Sequence, residues 1–274
     1  MVSTATIAPA KHLEAERTKS FEAGLDVKFL GNKISATATY YNTNTYNQLF
    51  LYDAPPSSGY KQKYINAGKV NNWGIEASAG YKNTWRDFSW ATTLNFSMNR
   101  NKIIRLANGV ISPVDGQPID MPYLEKATLG DAGSPQVILY EGGTMGDLYI
   151  NRELRTDLNG NIYVDPQTNK VELTTTERRK VASLLPKGNI GWSNSFAWKG
   201  LNLNVMFAAR LGGSVVSNTE AFLDYYGVSE RSAAAREAGG VRINNGMVDA
   251  QNYYQTIGAG TGAGAYYIYD ATNV

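Results

Sequence analysis

The sequence predicts an all-β chain that forms part of an antiparallel, up-and-down transmembrane β-barrel. Apolar and polar residues alternate along six long runs, the runs occur in three pairs with a short turn inside each pair, and long polar segments separate the pairs. Alternation with period two gives one apolar and one polar face, which a strand can present and a helix cannot. Short turns at one end and long loops at the other are typical of outer-membrane β-barrels.

The three pairs of runs predict three hairpins. The paired runs and their turns are, in chain order, 21–29 and 34–40 with a turn at 30–33, 73–81 and 88–98 with a turn at 82–87, and 190–198 and 201–211 with a turn at 199–200. In a barrel wall the apolar set faces lipid on the convex side. We therefore expect the side chains to divide between two faces. The convex face should carry Leu25, Ile75, Leu94 and Leu203, and the concave face should carry Asp26, Glu76, Asn95 and Asn204.

The polar face of these runs carries mainly small uncharged groups, such as Ser89, Thr93 and Ser97, which suit a water-filled lumen. Aromatic residues lie towards both ends of the apolar face, near the short turns (Phe29, Tyr81, Trp85, Phe88 and Trp198) and near the long loops (Tyr40, Trp73 and Trp192). Two aromatic girdles fit the two interfaces of a membrane. A soluble β-sandwich that binds glycans stays open as the alternative, because its inner faces show the same alternation.

The composition excludes several classes of protein. The 274 residues include no Cys, which rules out disulfides and thiolate metal sites. The net charge of +2 gives no reason to expect a nucleic-acid partner. No apolar run reaches the length of a transmembrane helix, about 18 residues.

Two observations lead us to expect that the chain, 1–274, is part of a larger barrel protein. Residues 1–11 lack the apolar stretch of a signal peptide. Six strands are also too few to close a lipid-facing barrel, for which about eight is the smallest number known, and an open sheet would leave backbone groups unpaired in hydrocarbon.

The long segments between the hairpins, 43–71, 100–188 and 213–274, read mostly as loops. Residues 54–59 (APPSSG) form a strong turn signal. The polar stretch 174–182 reads as a helix, and a short helix is expected at 229–237, followed by a tail rich in Gly, Ala and Tyr.

The sequence contains no set of residues that we expect to be catalytic or to hold a cofactor. His12 is the only histidine, and the carboxylate pairs Asp147/Glu153 and Asp224/Glu230 lack a context that would hold them at the separation of about 5–9 Å used by glycosidases. Residues 157–161 place Asp, Asn and Asn at alternating positions, as a calcium loop does, but Gly and Glu are missing at the sixth and twelfth positions. An ordinary turn is the preferred interpretation, with calcium binding left as the alternative.

Several short segments together resemble the SusC/RagA-type TonB-dependent outer-membrane transporters of Bacteroidetes. They lie in family order over nearly the whole chain and comprise 16–26 (ERTKSFEAGLD), 40–42 (YYN), 66–68 (NAG) with 74–76 (GIE), 94–103 (LNFSMNRNKI), 191–196 (GWSNSF) and 270–274 (DATNV). The resemblance implies a location in the outer membrane and import of glycans or peptides through a large barrel. It also implies two partners, TonB and a SusD-like lipoprotein lid. The plug domain and the final strands of the family are absent from 1–274, so the isolated chain is expected neither to transport nor to couple to TonB.

Tyrosine is abundant, at 18 residues, and it is concentrated in the first and last long segments. Aromatic rings that carry hydroxyl groups suit stacking on sugars and contact with peptides. They equally suit packing between loops or contact with a lid protein. The candidate substrate-binding residues are Tyr46, Phe50, Tyr52, Tyr60, Tyr64, Tyr225, Tyr226, Tyr253 and Tyr254.

Overall fold

A computed structural model describes residues 7–8, 14–53, 59–66, 68–106, 108–111, 118–120, 123–128, 134–259 and 262–273. The described strands are β1 (Ile7–Ala8), β2 (Arg17–Phe29), β3 (Ile34–Tyr46), β4 (Leu49–Asp53), β5 (Gln62–Asn66), β6 (Lys69–Trp85), β7 (Phe88–Arg105), β8 (Asn108–Ile111), β9 (Pro118–Asp120), β10 (Tyr123–Thr128), β11 (Gln136–Tyr140), β12 (Asp147–Leu154), β13 (Leu173–Ser183), β14 (Gly188–Trp198), β15 (Leu201–Leu211), β16 (Ser214–Val216), β17 (Val241–Ile243), β18 (Gly246–Val248) and β19 (Ile268–Asp270). The helices are α1 (Asn218–Tyr225), α2 (Glu230–Glu237) and α3 (Ala250–Gly258).

The largest unit is a six-stranded antiparallel sheet in the order β15-β14-β7-β6-β3-β2, which confirms the predicted meander of three hairpins. The first and third turns lie where the sequence places them, at 30–33 and 199–200. The second turn is shorter than predicted, because β6 and β7 stay paired as far as Trp85 and Phe88. Only Arg86 and Asp87 form this turn, and Arg86 adopts a φ of 52° there.

The pairing register divides the side chains of this sheet into the two predicted sets. Leu25 lies in one row of paired positions with Ala38, Ala77, Phe96 and Ile190, and such cross-strand partners share a face. Counting in steps of two along each strand puts Ile75, Leu94 and Leu203 on the same face, and Asp26, Glu76, Asn95 and Asn204 on the opposite one. A hollow of about 500 Å³ lined by Thr37, Glu76 and Asn95, among others, opens on the polar face, which is therefore the concave side.

The apolar face is bare, which separates this sheet from a sandwich. Leu25 is 65% exposed and Leu203 is 58% exposed, so within the described ranges no second sheet packs over them. In a β-sandwich these leucines would form the core between the two sheets. The structure therefore contradicts the sandwich alternative.

Tryptophan side chains cover the few polar groups on the apolar face. The indole N–H of Trp90 donates to Asn194 Oδ1 at 3.2 Å, and that of Trp192 donates to Thr92 Oγ1 at 2.9 Å. Asn194 is only 6% exposed beneath these rings. Because a polar group without a partner is costly in hydrocarbon, these two bonds make Thr92 and Asn194 compatible with a lipid-facing surface.

A second sheet of four strands, in the order β10-β11-β12-β13, corrects the predicted helix at 174–182. That stretch belongs to β13, which pairs with β12. The charged residues that suggested a helix alternate between the two faces of the strand, where Arg178 pairs with Glu125 and Arg179 pairs with Glu153. Cross-strand ion pairs and the β-branched Thr174, which a strand accommodates well, favour the extended conformation.

The first long segment is shorter than expected, because β3 continues to Tyr46 and β6 begins at Lys69. Strands β4 and β5 form a hairpin between them, while the turn predicted at 54–59 lies outside the described residues except for Gly59. The short helix expected at 229–237 is confirmed as α2, and α1 and α3 flank it. None of these three helices, the ones present where the structure is described, has the length and hydropathy needed to span a bilayer.

Candidate functional site

The three helices lie together at the long-loop end, on a small apolar core of their own. This core is formed by Leu154, Val171, Ala221, Ile243, Val248, Ile257 and Tyr267. Each helix begins at a residue whose side chain accepts a backbone N–H, namely Ser217 for α1, Ser229 for α2 and Asp249 for α3. Helices α1 and α3 approach closely at Gly258, where an added Cβ would lie 2.7 Å from the carbonyl oxygen of Ala221.

A buried carboxylate ties α1 to α2 and to Tyr267, which follows α3 in the chain. Asp224 of α1 is 1% exposed and accepts hydrogen bonds from Ser229 Oγ at 2.5 Å and from Tyr267 OH at 2.8 Å. Arg231 of α2 completes the set, with Nε 2.8 Å from Asp224 Oδ2 and a second bond from Nη2 to the same oxygen. Arg231 also pairs with Glu220 at 3.2 Å. A buried charge needs such a full set of partners, so this network fixes how α1 and α2 are placed.

The network shifts the ionisation of its members. Burial lowers the pKa of Arg231, but its hydrogen bonds and charge interaction with Asp224 outweigh burial and leave that pKa raised. Burial, followed by the hydrogen bond to Asp224, raises the pKa of Tyr267. Burial also raises the pKa of the neighbouring Tyr266 to about 12. At neutral pH Arg231 is therefore charged, while Tyr266 and Tyr267 are protonated and neutral.

Beside this network lies a hollow of about 220 Å³, which we call the helix hollow. It is lined by Asp224, Tyr225, Tyr226, Gly227, Ser232, Arg236, Ala250, Gln251, Tyr254 and Gln255. The rings of Tyr225 and Tyr226 meet edge to face with centroids 5.2 Å apart, and Tyr226 is 70% exposed. Aromatic faces beside a guanidinium and two side-chain amides offer stacking and hydrogen bonds to a polar, flexible ligand.

The structure brings together three of the nine candidate residues of the sequence. Tyr225, Tyr226 and Tyr254 line the helix hollow. Tyr253 is adjacent and meets the ring of Tyr254 edge to face at 5.3 Å, but it packs against the core of the helices.

The candidates of the first long segment are dispersed. Tyr46 lies on the outward face of the six-stranded sheet, with the ammonium groups of Lys19 and Lys69 over its ring. Phe50 is buried in a core cluster with Val70 and Ile103, among others, so its ring is closed to solvent. Tyr60 and Tyr64 are half-buried, and the side chain of Tyr52 lies outside the described residues.

Sequence reasoning missed the polar residues of the helix hollow and one further aromatic group. Arg236 lies in the helix that the sequence predicted, but Gln251 and Gln255 lie in α3, within the tail that was read as irregular. Their spacing of four residues, with Tyr254 between them, is the signal that could have indicated one helical face. Tyr123, Tyr140 and Tyr149 form a row of mutually tilted rings on the four-stranded sheet, with centroids 5.4 Å and 4.8 Å apart, and Arg178 lies over Tyr123.

Asp147, Glu153 and Asp157, which the sequence singled out, have structural partners. Asp147 pairs with Lys180 at 2.7 Å, and Glu153 pairs with Arg179. Asp157 accepts the backbone N–H groups of Asn159 and Asn161 at 2.8 Å and 2.9 Å, as in an ordinary turn, and these bonds lower its pKa. Among the residues that the structure describes, no three His, Asp or Glu side chains are grouped to hold a metal ion.

A sheet that is apolar and exposed outside, polar and concave inside, with short turns at one end and folded loops at the other, defines a segment of a membrane β-barrel wall. Residues 2–168 match the family described as TonB dependent receptor-like, beta-barrel. This match covers more than half of the chain, which therefore belongs to the TonB-dependent receptor family and lies in its barrel. Barrels of this family are in the outer membrane.

Related proteins agree with this assignment. The TonB-dependent receptor P3 of Formosa agariphila is 29% identical over 218 residues, which are 76% of this chain and 22% of the relative. The TonB-dependent receptor SusC of Bacteroides thetaiotaomicron is 31% identical over 101 residues, which are 36% of this chain and 10% of SusC. The chain thus spans about a fifth of the length of the P3 receptor. These relatives confirm the resemblance to the SusC/RagA type.

The same fold is found in a solved transporter. The structure of the RagAB peptide importer in the closed-closed state superimposes with a TM-score of 0.66 at 20% sequence identity, over 94% of this chain and 28% of that chain. A second structure, described as the RagAB peptide transporter, gives a TM-score of 0.64 at 19% identity. At this level of identity the similarity establishes the fold.

Proposed function

We propose that this chain forms part of the wall and the extracellular mouth of a TonB-dependent importer of glycans or peptides, and that it has no enzymatic activity of its own. The observation that carries the proposal is the two-faced sheet. Its outer face matches a lipid environment, while its inner face offers Ser, Thr and Asn side chains to a water-filled passage. Such a wall admits polar solutes without binding them tightly.

In this proposal the helix hollow is where the chain contacts the solute. Tyr225 and Tyr226 offer ring faces, and Arg236, Gln251 and Gln255 offer hydrogen-bond donors. The Asp224–Arg231 network keeps these groups in place, because it joins α1 and α2 below the hollow. Sugars and peptides both carry hydroxyl or amide groups and flat surfaces that suit this lining. Uptake of glycans and uptake of peptides are therefore both measured in the experiment below.

Two partners belong to the same proposal. Family resemblance indicates that TonB supplies the energy for import, and that a SusD-like lipoprotein covers the mouth. The four-stranded sheet and the helices would be the parts of this chain nearest to such a lid, because they lie at the long-loop end.

The test is an uptake experiment in the native bacterium with the intact receptor. Strains with the receptor deleted are compared with wild type for uptake of labelled oligosaccharides and labelled oligopeptides. We expect deletion to abolish uptake of one of the two classes. Wild-type uptake of both classes in the deletion strain would contradict the proposed function.

Point variants test the helix hollow. Tyr226→Ala should raise the half-saturating concentration of the transported class roughly threefold to tenfold, since one aromatic contact contributes about 1 kcal/mol. Tyr163→Ala is the matched control, because Tyr163 contacts Arg155 and lies outside the hollow. The amounts of the two variant receptors in the membrane are measured and matched. If both variants then change the half-saturating concentration equally, the helix hollow does not contact the solute, although the proposed import function still holds.

A further inference from the structure

The outward face of the six-stranded sheet changes from apolar to cationic directly beyond Tyr40 and Trp73, whose rings lie 6.5 Å apart. Three successive rows of paired positions follow there across β2, β3, β6 and β7. The rows are Phe21, Asn42, Trp73 and Arg100, then Lys19, Asn44, Asn71 and Lys102, then Arg17, Tyr46, Lys69 and Arg105. We call the six basic residues in these rows (Arg17, Lys19, Lys69, Arg100, Lys102 and Arg105) the cationic belt.

The side chains of the belt converge on one face. Lys19 and Lys69 come from different strands, yet their ammonium groups lie 6.0 Å and 5.0 Å from the centroid of the same Tyr46 ring. Between the cations, Asn71 donates to Asn42 Oδ1 at 2.7 Å and to Asn44 Oδ1 at 3.3 Å, which forms a neutral, hydrogen-bonded centre. The belt is therefore a continuous polar surface with positive charge on both sides.

No acidic residue lies in these three rows, and within the described part of the chain none of the six basic residues takes part in an ion pair. The nearby carboxylates are used by other groups. Glu16 accepts the backbone N–H of Leu49 at 2.7 Å, and Glu14 accepts the side-chain amide of Asn47 at 2.8 Å. Since like charges repel, six cations on one surface are stabilised when anions from outside the chain lie beside them.

The position of the belt indicates where these anions come from. It continues the same face as Phe21 and Ile75, which point towards the acyl chains, and it begins where the aromatic girdle marks the membrane interface. We propose that the cationic belt binds the phosphate groups of lipids in the outer leaflet, with the acyl chains of the same lipid lying on the apolar face below. Basic side chains at this depth bind phosphate by charge-assisted hydrogen bonds.

The size of the belt suits a headgroup with more than one phosphate. Neighbouring strands lie about 4.8 Å apart, so β2 and β7 are separated by about 14 Å across the belt. Adjacent rows of the belt, which are two residues apart along a strand, are separated by about 7 Å. A diphosphorylated glycolipid, with sugars between its phosphates, would place an anion near each side and its hydroxyl groups near the Asn centre.

The experiment uses the intact receptor purified in a non-ionic detergent, with diphosphorylated lipid A as the probe and native mass spectrometry as the readout. The variant Lys19→Gln/Lys69→Gln/Lys102→Gln should weaken binding about tenfold or more relative to wild type. Lys28→Gln/Lys33→Gln/Lys82→Gln is the matched control, because it removes the same charge at the short-turn end. This control should bind lipid A like wild type.

Further arms separate the outcomes. Dephosphorylated lipid A should bind the wild-type receptor weakly, with an affinity similar to that of diphosphorylated lipid A for the belt variant. Inorganic phosphate at millimolar concentration should not displace diphosphorylated lipid A from the wild-type receptor. Equal binding of both lipids, equal loss in both triple variants, or displacement by inorganic phosphate would overturn the proposal. If the belt variant does not fold, the salt dependence of wild-type binding gives the answer, since phosphate contacts should weaken as sodium chloride rises and acyl contacts should not.

Discussion

At the scale of single residues, the inner face of the sheet depends on a glycine beneath a tyrosine. Tyr41 and Gly74 are cross-strand partners, and the Tyr41 hydroxyl donates to Asn99 Oδ1 at 3.2 Å. A Cβ at position 74 would lie 2.5 Å from the Tyr41 hydroxyl oxygen and 2.2 Å from the carbonyl oxygen of Met98. The ring therefore lies where a side chain on residue 74 would be, and only Gly leaves this space.

We predict that Gly74→Ala destabilises the barrel by about 1–3 kcal/mol, the usual cost of inserting a methyl group into packed structure. Gly191→Ala is the matched control on the same face, since the nearest atoms to its Cβ would be 4.0 Å away, in Asn95. The measurement is the temperature at which the intact receptor loses its compact electrophoretic mobility. If both variants lower this temperature by a similar amount, the contact between Tyr41 and Gly74 does not stabilise the barrel.

Single functional residues were predictable only in part. The sequence indicated Tyr225, Tyr226 and Tyr254 because aromatic residues cluster near them, and the structure places all three on one hollow. It could not separate them from Phe50, which has the same chemistry but is buried by Val70 and Ile103. Burial depends on which strands pair at long range, and a count of aromatic residues contains no information on that pairing.

At the scale of elements, α1 and α2 behave as one unit because they share polar contacts, and α3 packs closely on α1 at Gly258. The N-cap of α2, Ser229, also donates to Asp224 of α1, and Tyr267 reaches the same carboxylate from the segment after α3. Loss of any one of these groups leaves a buried charge with an incomplete set of partners. This coupling fixes the position of α1 relative to α2.

The same unit should be stable in mild alkali and weaken only in strong alkali. The pKa of Tyr266 is raised to about 12 by burial, above the value of about 10 expected in an unfolded chain. A raised pKa means that the folded state favours the protonated form, so the stabilisation is complete below pH 10 and declines as the pH rises towards 12. The ionisation of Tyr267, also raised by burial, acts in the same direction.

The difference in absorbance at 295 nm between wild type and Tyr266→Phe, followed from pH 8 to pH 12.5, reports the ionisation of this tyrosine. We expect a midpoint near 12, together with increased cleavage by an alkaline protease between residues 214 and 273. A midpoint near 10 would mean that Tyr266 is solvated and that the helices do not pack as described.

The reach of sequence reasoning also differed between elements. The six long strands were predictable because alternation is a local signal that repeats over ten or more residues, as in β7. Strand β13 was misread, since Arg178 and Arg179 look solvated until β10 and β12 supply Glu125 and Glu153 as partners. Helix α3 was missed because Gly and Tyr favour irregular structure unless a core such as that around Ile257 holds them.

At the scale of the whole molecule, the chain has two requirements that it cannot meet alone. One is a solvent for its convex face, where large apolar side chains are widely exposed, and the other is a partner for its edge strands. Strand β2 pairs only with β3, and β15 pairs with β14 and, at Arg210, forms one bridge to Asn273; the outer edges of both strands are otherwise unpaired within the described sheet. Membrane lipid meets the first requirement, and neighbouring strands of a closed barrel would meet the second.

We therefore predict that the isolated 274-residue chain is insoluble in plain buffer and aggregates through its edges. Burial of one large apolar side chain is worth about 1.5–3 kcal/mol, so leaving residues such as Phe21, Leu201 and Phe207 in water has a large cumulative cost. Size-exclusion chromatography with light scattering should show only high-mass species without detergent. Detergent should cover the apolar face and reduce the mass but leave edge-paired oligomers, because it cannot pair backbone groups. A detergent-free monomer that melts cooperatively would contradict the assignment of this face to lipid.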